Sequence, residues 1–190
     1  MSATTYSNRR NAGRQARGEA EEKQYDERVV HINRVARVVR GGRRFRFQAL
    51  VVVGDHKGKV GVGVAKGADV TAAVNKATDV AKKSVVKLNL YQNTLTHDVQ
   101  ARVGGSNIII LPAAPGTGII AGGVVRTVLE VAGIENALSK SLGASNRINT
   151  AYAAMAALKQ MVPAKLWLTN QPAKTKPLPE KPKTKRSAKA

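Results

Sequence analysis

Three segments between residues 29 and 65 carry the pattern of β-strands. Residues 29–39 are rich in β-branched side chains, and their alternation slips near Asn33, which predicts a bulge or bend there. Further on, Phe45, Phe47, Ala49, Val51 and Val53 alternate with Arg44, Arg46, Gln48, Leu50 and Val52, a period of two. In the third segment Val60, Val62 and Val64 alternate with Lys59, Gly61, Gly63 and Ala65. Gly41-Gly42 suits a tight hairpin, and Gly54-Asp55 with Gly58 a longer one. The expected product is a three-stranded antiparallel meander. The period then changes to that of a helix. Val70, Ala73, Val74, Ala77 and Ala81 fall on one apolar face, Asp69 stands at the N-cap, and Lys76, Lys82 and Lys83 lie on other faces. This helix is expected to cover one side of the sheet.

A second pattern follows. Leu95, Val99, Ala101 and Val103 alternate with polar residues up to a Gly104-Gly105 turn, and residues 108–111 form an apolar run. A glycine-rich stretch covers residues 112–123. The next helix carries Val124, Val128, Leu129, Val131 and Ala132 and closes at Gly133. Residues 134–142 suit a strand and loop. A last helix starts near Asn146, with Ile148, Ala151, Tyr152, Met155 and Leu158 on one face. The fold class is therefore α+β. The stretch from Gly116 to Ala121 fits the loose GxGxxA pattern of dinucleotide loops, but Val124-Val125 stand where a phosphate loop needs Lys-Ser/Thr. About 75 residues also leave no room for a substrate domain. These glycines are expected to permit a tight turn and close packing, with the helix-start amides as a secondary RNA contact.

Charge sharpens the picture. The chain has 190 residues, 32 Lys plus Arg against 12 Asp plus Glu, and a net charge of +20. That excess is uneven. Residues 28–87 hold fourteen basic and three acidic side chains, net +11, and residues 163–190 hold eight and one, net +7. Residues 88–162 are nearly neutral at +2 and residues 1–27 are neutral. A polyanion is the expected partner, nucleic acid before an anionic membrane surface. Arg34, Arg37, Arg40, Arg43, Arg44 and Arg46 lie within thirteen residues without an acid and bracket Gly41-Gly42. The hairpin is expected to show a guanidinium cluster at its tip and along one face, in the fork geometry that pairs with phosphate. With seven aromatic residues, base stacking cannot dominate. The near-neutral segment suits protein neighbours.

Other chemistry finds no support. Without cysteine there is no disulfide framework, thiolate zinc site or catalytic thiol. His31, His56 and His97 are scattered with no metal-binding spacing, and no GxSxG elbow occurs. No enzyme activity, cofactor or metal is expected. Apolar runs are too short for a membrane helix, no basic amphipathic helix is visible, and the polar N-terminus lacks a signal-peptide core. A cytoplasmic protein is expected, with no membrane and no homo-oligomer. The rivals are a free double-stranded-RNA-binding regulator and a small phosphotransferase.

Three motifs in order carry a resemblance: VARVVRGGRRFRFQALVVVGD at 35–55, PGTGIIAGG at 115–123 and LEVAGIENALSKSLGASN at 129–146. Over roughly residues 20–162 the chain resembles bacterial-type small-subunit ribosomal protein five, the S-five family. The resemblance implies a double-stranded-RNA-binding-like domain at 19–87, three antiparallel strands with a helix. It also implies a second two-layer α/β domain with a left-handed crossover at 88–162. By composition, and with no counterpart in the family, residues 1–18 are expected to form a flexible extension and residues 163–190 a basic Pro/Lys-rich tail, disordered or extended on RNA. The resemblance implies a structural constituent of the small ribosomal subunit that binds 16S-type rRNA and ribosomal proteins four and eight, near the mRNA entrance channel. There it supports subunit assembly and decoding accuracy. The hairpin tip, Arg40, Gly41, Gly42 and Arg43, matches the family's loop where changes are associated with spectinomycin resistance. The expected RNA-binding residues are Arg34, Arg37, Arg40, Gly41, Gly42, Arg43, Arg44, Arg46, Lys57, Lys59, Lys66, Lys82, Lys83, Gly118, Gly122, Gly123, Arg126, Lys140 and Arg147. The chain departs from the family's pattern around residues 65–71 and at Arg147, where the family often has proline. A cation at that helix start is disfavoured by the dipole unless an anion such as an RNA phosphate lies close.

Overall fold

The computed structural model describes residues 25–163. The expected N-terminal extension, and the tail beyond Pro163, lie outside the described residues. β1 (Asp26–Val39), β2 (Gly42–Gly54) and β3 (Lys59–Gly67) form the antiparallel meander. A two-residue β4 (Val86–Lys87) adds a fourth strand beside β3. The β1–β2 hairpin turns at Arg40 and Gly41, whose φ of +84° is the left-handed value glycine accepts without strain. The expected irregularity in β1 sits earlier than Asn33. The register shifts between Val29 and His31, so Val30 is the extra residue, and its side chain packs against the larger core.

The helix α1 (Val70–Lys83) lies across one face of this sheet. Ala73, Ala77 and Ala81 are fully buried, and beneath them β3 presents Gly61, Gly63 and Gly67. A Cβ on Gly63 would stand 2.1 Å from the Ala77 carbonyl oxygen, so the helix backbone rests on the strand backbone. Two details differ from the helical wheel drawn on sequence. Val70 is exposed, and Thr78 takes a buried position from which its hydroxyl donates to Glu27 at 3.3 Å. Asp69 holds the N-cap position, yet its side chain accepts no capping bond.

A short hairpin of β5 (Leu90–Tyr91) and β6 (Thr94–Leu95) leads to the second sheet. That sheet contains β7 (Val99–Val103), β8 (Ser106–Pro112), β9 (Ile119–Ile120) and β10 (Ala137–Ser141), in the order β7-β8-β10-β9. β9 and β10 run parallel, joined by a crossover through α2 (Gly123–Ala132); the other pairs are antiparallel. α3 (Arg147–Lys159) closes the same face, and Asn146 caps it by accepting from the Ile148 amide at 3.0 Å. Ala151, Ala153, Ala154, Met155, Ala157 and Leu158 bury α3 on several sides. Tyr152, expected on the apolar face, points outward. The small alanines explain this: neighbours approach from more than one direction, so no single stripe marks the core.

The two halves share one core. Leu50, Val52, Val60 and Val62, on the sheet face away from α1, join Val125, Val128, Leu129 and Val131 of α2 and the alanines of α3. Ala49, Val51, Val53 and Ala65 pack under α1 in a smaller second cluster. Main-chain bonds stitch the seam: His56 N–H donates to the Val131 carbonyl at 3.1 Å and Gly58 N–H to that of Ala132 at 2.9 Å. Gly133 closes α2 at φ +85°, with the His56 carbonyl where a Cβ would go.

Candidate nucleic-acid interface

The β1–β2 hairpin is 13 to 14 residues per strand. α1 reaches only as far as Gly67, which pairs with Phe47. Beyond that level residues 35–46 form an arm, exposed along most of its length. No acid occurs between Glu27 and Asp55. The pairing register decides where each cation goes, because residues opposite one another in an antiparallel pair share a face. Arg37 stands opposite Arg44, and Val35 opposite Arg46. Lys66 of β3 joins this inner face opposite Gln48. With Val35 and Val39, these cations line a groove of about 420 Å³. Arg34, opposite Phe47, and Arg43, opposite Val38, take the outer face. The guanidinium cluster expected along one face is thus divided between two. Two residues an odd number of positions apart on one strand must part company, as Arg43 and Arg44 do.

Around the second sheet the glycine-rich loop has a different occupation. The amides of Gly116 and Gly118 both donate to the Asn136 side-chain oxygen, at 3.1 and 3.0 Å. Asn136 is buried, and its own carbonyl accepts from the Thr94 hydroxyl at 2.7 Å. The dinucleotide-like pattern therefore marks a loop latched by its own protein, with those two amides spent. Gly122 and Gly123, at the start of α2, lie open on the surface. Arg126 is held by the Ile119 carbonyl at 2.9 Å and stands 3.7 Å from Glu130.

The sequence matches the family model described as ribosomal protein S5, N-terminal domain, over residues 25–89. It matches ribosomal protein S5, C-terminal domain, over residues 101–168. The chain belongs to the ribosomal protein S5 family. It is a structural, rRNA-binding protein of the small ribosomal subunit, active in translation in the cytoplasm, and not an enzyme. Among the described residues no helix is long and apolar enough to cross a membrane. The S5 family's two domains account for the two halves of the fold, and the rival reading of the second half as a phosphotransferase falls with the match.

Within this S5 chain the remaining predicted residues fall into separate zones. Arg147 comes to the inner side of β1, where its guanidinium donates to His31 Nδ1 at 2.6 Å. This contact at the start of α3 is one that the spacing of residues 31 and 147 could not announce. Lys57 and Lys59 lie at the other end of the sheet from the arm, at a loop where Asp55 accepts from both their amides. Lys82 is engaged inside the protein, 3.1 Å from Glu27, while Lys83 is exposed. Lys140 lies on the open face of the second sheet, among Ile109, Leu111, Ile120, Leu138 and Leu142. Sequence reasoning missed Phe45 as a partner of Arg34, whose guanidinium centre lies 3.8 Å from the ring centroid. A diagonal pair across a hairpin can be found from sequence only once the turn has set the register.

Proposed function

We propose that this S5 protein grips small-subunit rRNA with the inner face of its hairpin arm and meets ribosomal proteins with its second domain. The reading places it near the mRNA entrance, where it supports subunit assembly and decoding accuracy. The observation that carries it is the groove of Arg37, Arg44, Arg46 and Lys66, which no carboxylate lines among the described residues. Four cations converging without a counter-ion repel one another until an anion arrives. Phosphates along an A-form strand supply such charge, and side chains cannot read the deep, narrow major groove, so contact is by backbone and shape. Arg40, Gly41, Gly42 and Arg43 form the tip, the segment proposed to bear on accuracy and spectinomycin response. The second domain offers the open aliphatic sheet face as the surface for neighbours, proteins four and eight being the proposed occupants.

The test is a salt titration of rRNA binding by the full chain. Replacing Arg44 and Arg46 together by alanine should weaken binding and lower the slope of log K against log salt by about 0.7–0.9 per lost phosphate contact. An unchanged slope would remove the inner groove from the interface. A free double-stranded-RNA-binding regulator would instead fail to co-sediment with small subunits at high salt.

A further inference from the structure

The outer face of the arm has a different chemistry from the inner. Phe45 is 50% exposed and Val38 76% exposed. Ala36 lies directly opposite Phe45, and Arg43 opposite Val38. Arg34 covers the Phe45 ring with its guanidinium. An exposed apolar strip flanked by two guanidiniums, with no carboxylate between residues 34 and 46, asks for a ligand with two properties. It must carry a flat apolar surface, and it must carry negative charge within a side chain's reach of that surface. A nucleotide with its base out of the helical stack meets both conditions. A paired helix does not, because its bases are covered by one another. An acidic protein strand supplies the charge without the planar face.

We propose that the outer face of the arm holds an unstacked rRNA base against the Arg34–Phe45 pair, with Arg43 on the adjoining phosphate. The inference rests on the rRNA-binding reading above and adds a second, chemically distinct contact to the same arm. The planar Arg34 guanidinium already lies over the ring, so a base can stack on the exposed surface of this pair with little further loss of side-chain freedom. Base–aromatic stacking tolerates any base identity, so the site selects an unpaired nucleotide by its exposure and not by sequence. Inner and outer faces thus divide the work, phosphates on one and a base on the other.

Chemical probing of small-subunit rRNA bound to the full chain tests this with two readouts, base reactivity and hydroxyl-radical cleavage of the backbone. With the wild-type chain, one unpaired base should be protected together with the backbone around it. In Phe45→Leu, which keeps an apolar strand residue, the base should regain its reactivity while the backbone footprint persists, and affinity should fall about tenfold. Arg34→Lys, which keeps the charge and loses the planar group, should expose the same base with an unchanged salt slope. A backbone footprint with no base whose protection depends on Phe45 or Arg34 would overturn the inference. A chain with no backbone footprint at all would overturn the rRNA-binding reading itself. Matching far-ultraviolet circular dichroism and melting curves for the variants separate either result from unfolding.

Discussion

Gly63 and Gly122 show how differently one residue type is constrained. The site of a Cβ at Gly63 is filled by the backbone of α1, at 2.1 Å from the Ala77 oxygen and 2.5 Å from the Ala81 nitrogen. At Gly122 nothing lies within 4 Å, and its φ of −65° suits any residue. Gly63→Ala must push the helix off the strand, and overpacking of this kind costs about 1–3 kcal/mol or more. Urea denaturation should show a loss of about 3 kcal/mol for Gly63→Ala and under about 0.5 kcal/mol for Gly122→Ala. Equal losses would mean that α1 does not rest on β3 as described. Asn136 makes the same point from the polar side: one buried amide oxygen settles two glycine amides that would otherwise stand unpaired.

Among the elements, the strands and helices were legible where a single face is buried. β2 alternates only in its first half, where Phe45 and Phe47 interleave with Arg44 and Arg46, and α2 ends at Gly133 as its sequence indicates. The alternation hid the fact that both faces of β2 are covered towards its end, by α1 on one side and by α2 and α3 on the other. Its run of Leu50, Val51, Val52 and Val53 reports that double burial. The two-residue β4, β5, β6 and β9 carry too few residues to show a period at all. Of the site, the Arg-rich hairpin was legible and its division into two faces was not, since that depends on the register. The helix caps offer a check at this scale. Asn146→Ala should lower stability by about 1 kcal/mol because its side chain serves the Ile148 amide. Asp69→Ala should cost less, since that carboxylate makes no capping bond. The reverse order in thermal melts would contradict the capping geometry.

For the whole molecule the shared core matters more than the boundary between the family's two domains. Leu50→Ala opens a cavity between the halves and should cost about 2–5 kcal/mol. The loss should appear equally in hydrogen exchange of β2 and of α2, as one cooperative transition. Separate transitions would show two independent folding units. Arg28→Ala, at the rim of the same seam, breaks contacts to Asp26 and Glu130 at 3.1 and 2.6 Å, but its side chain is 42% exposed. Solvent screening keeps that loss to about 1 kcal/mol or less. The bulge at Val30 decides how this seam and the arm coexist. On its near side Arg28 faces Glu130 and Glu27 faces Lys82; on its far side the turn at Gly41 dictates that Arg37 joins Arg44. Counted by twos along β1, these demands are out of phase by one residue, and Val30 is the residue that corrects the phase. Deleting it would leave composition, charge and every motif almost intact, yet the strand would have to turn either its root or its arm inside out.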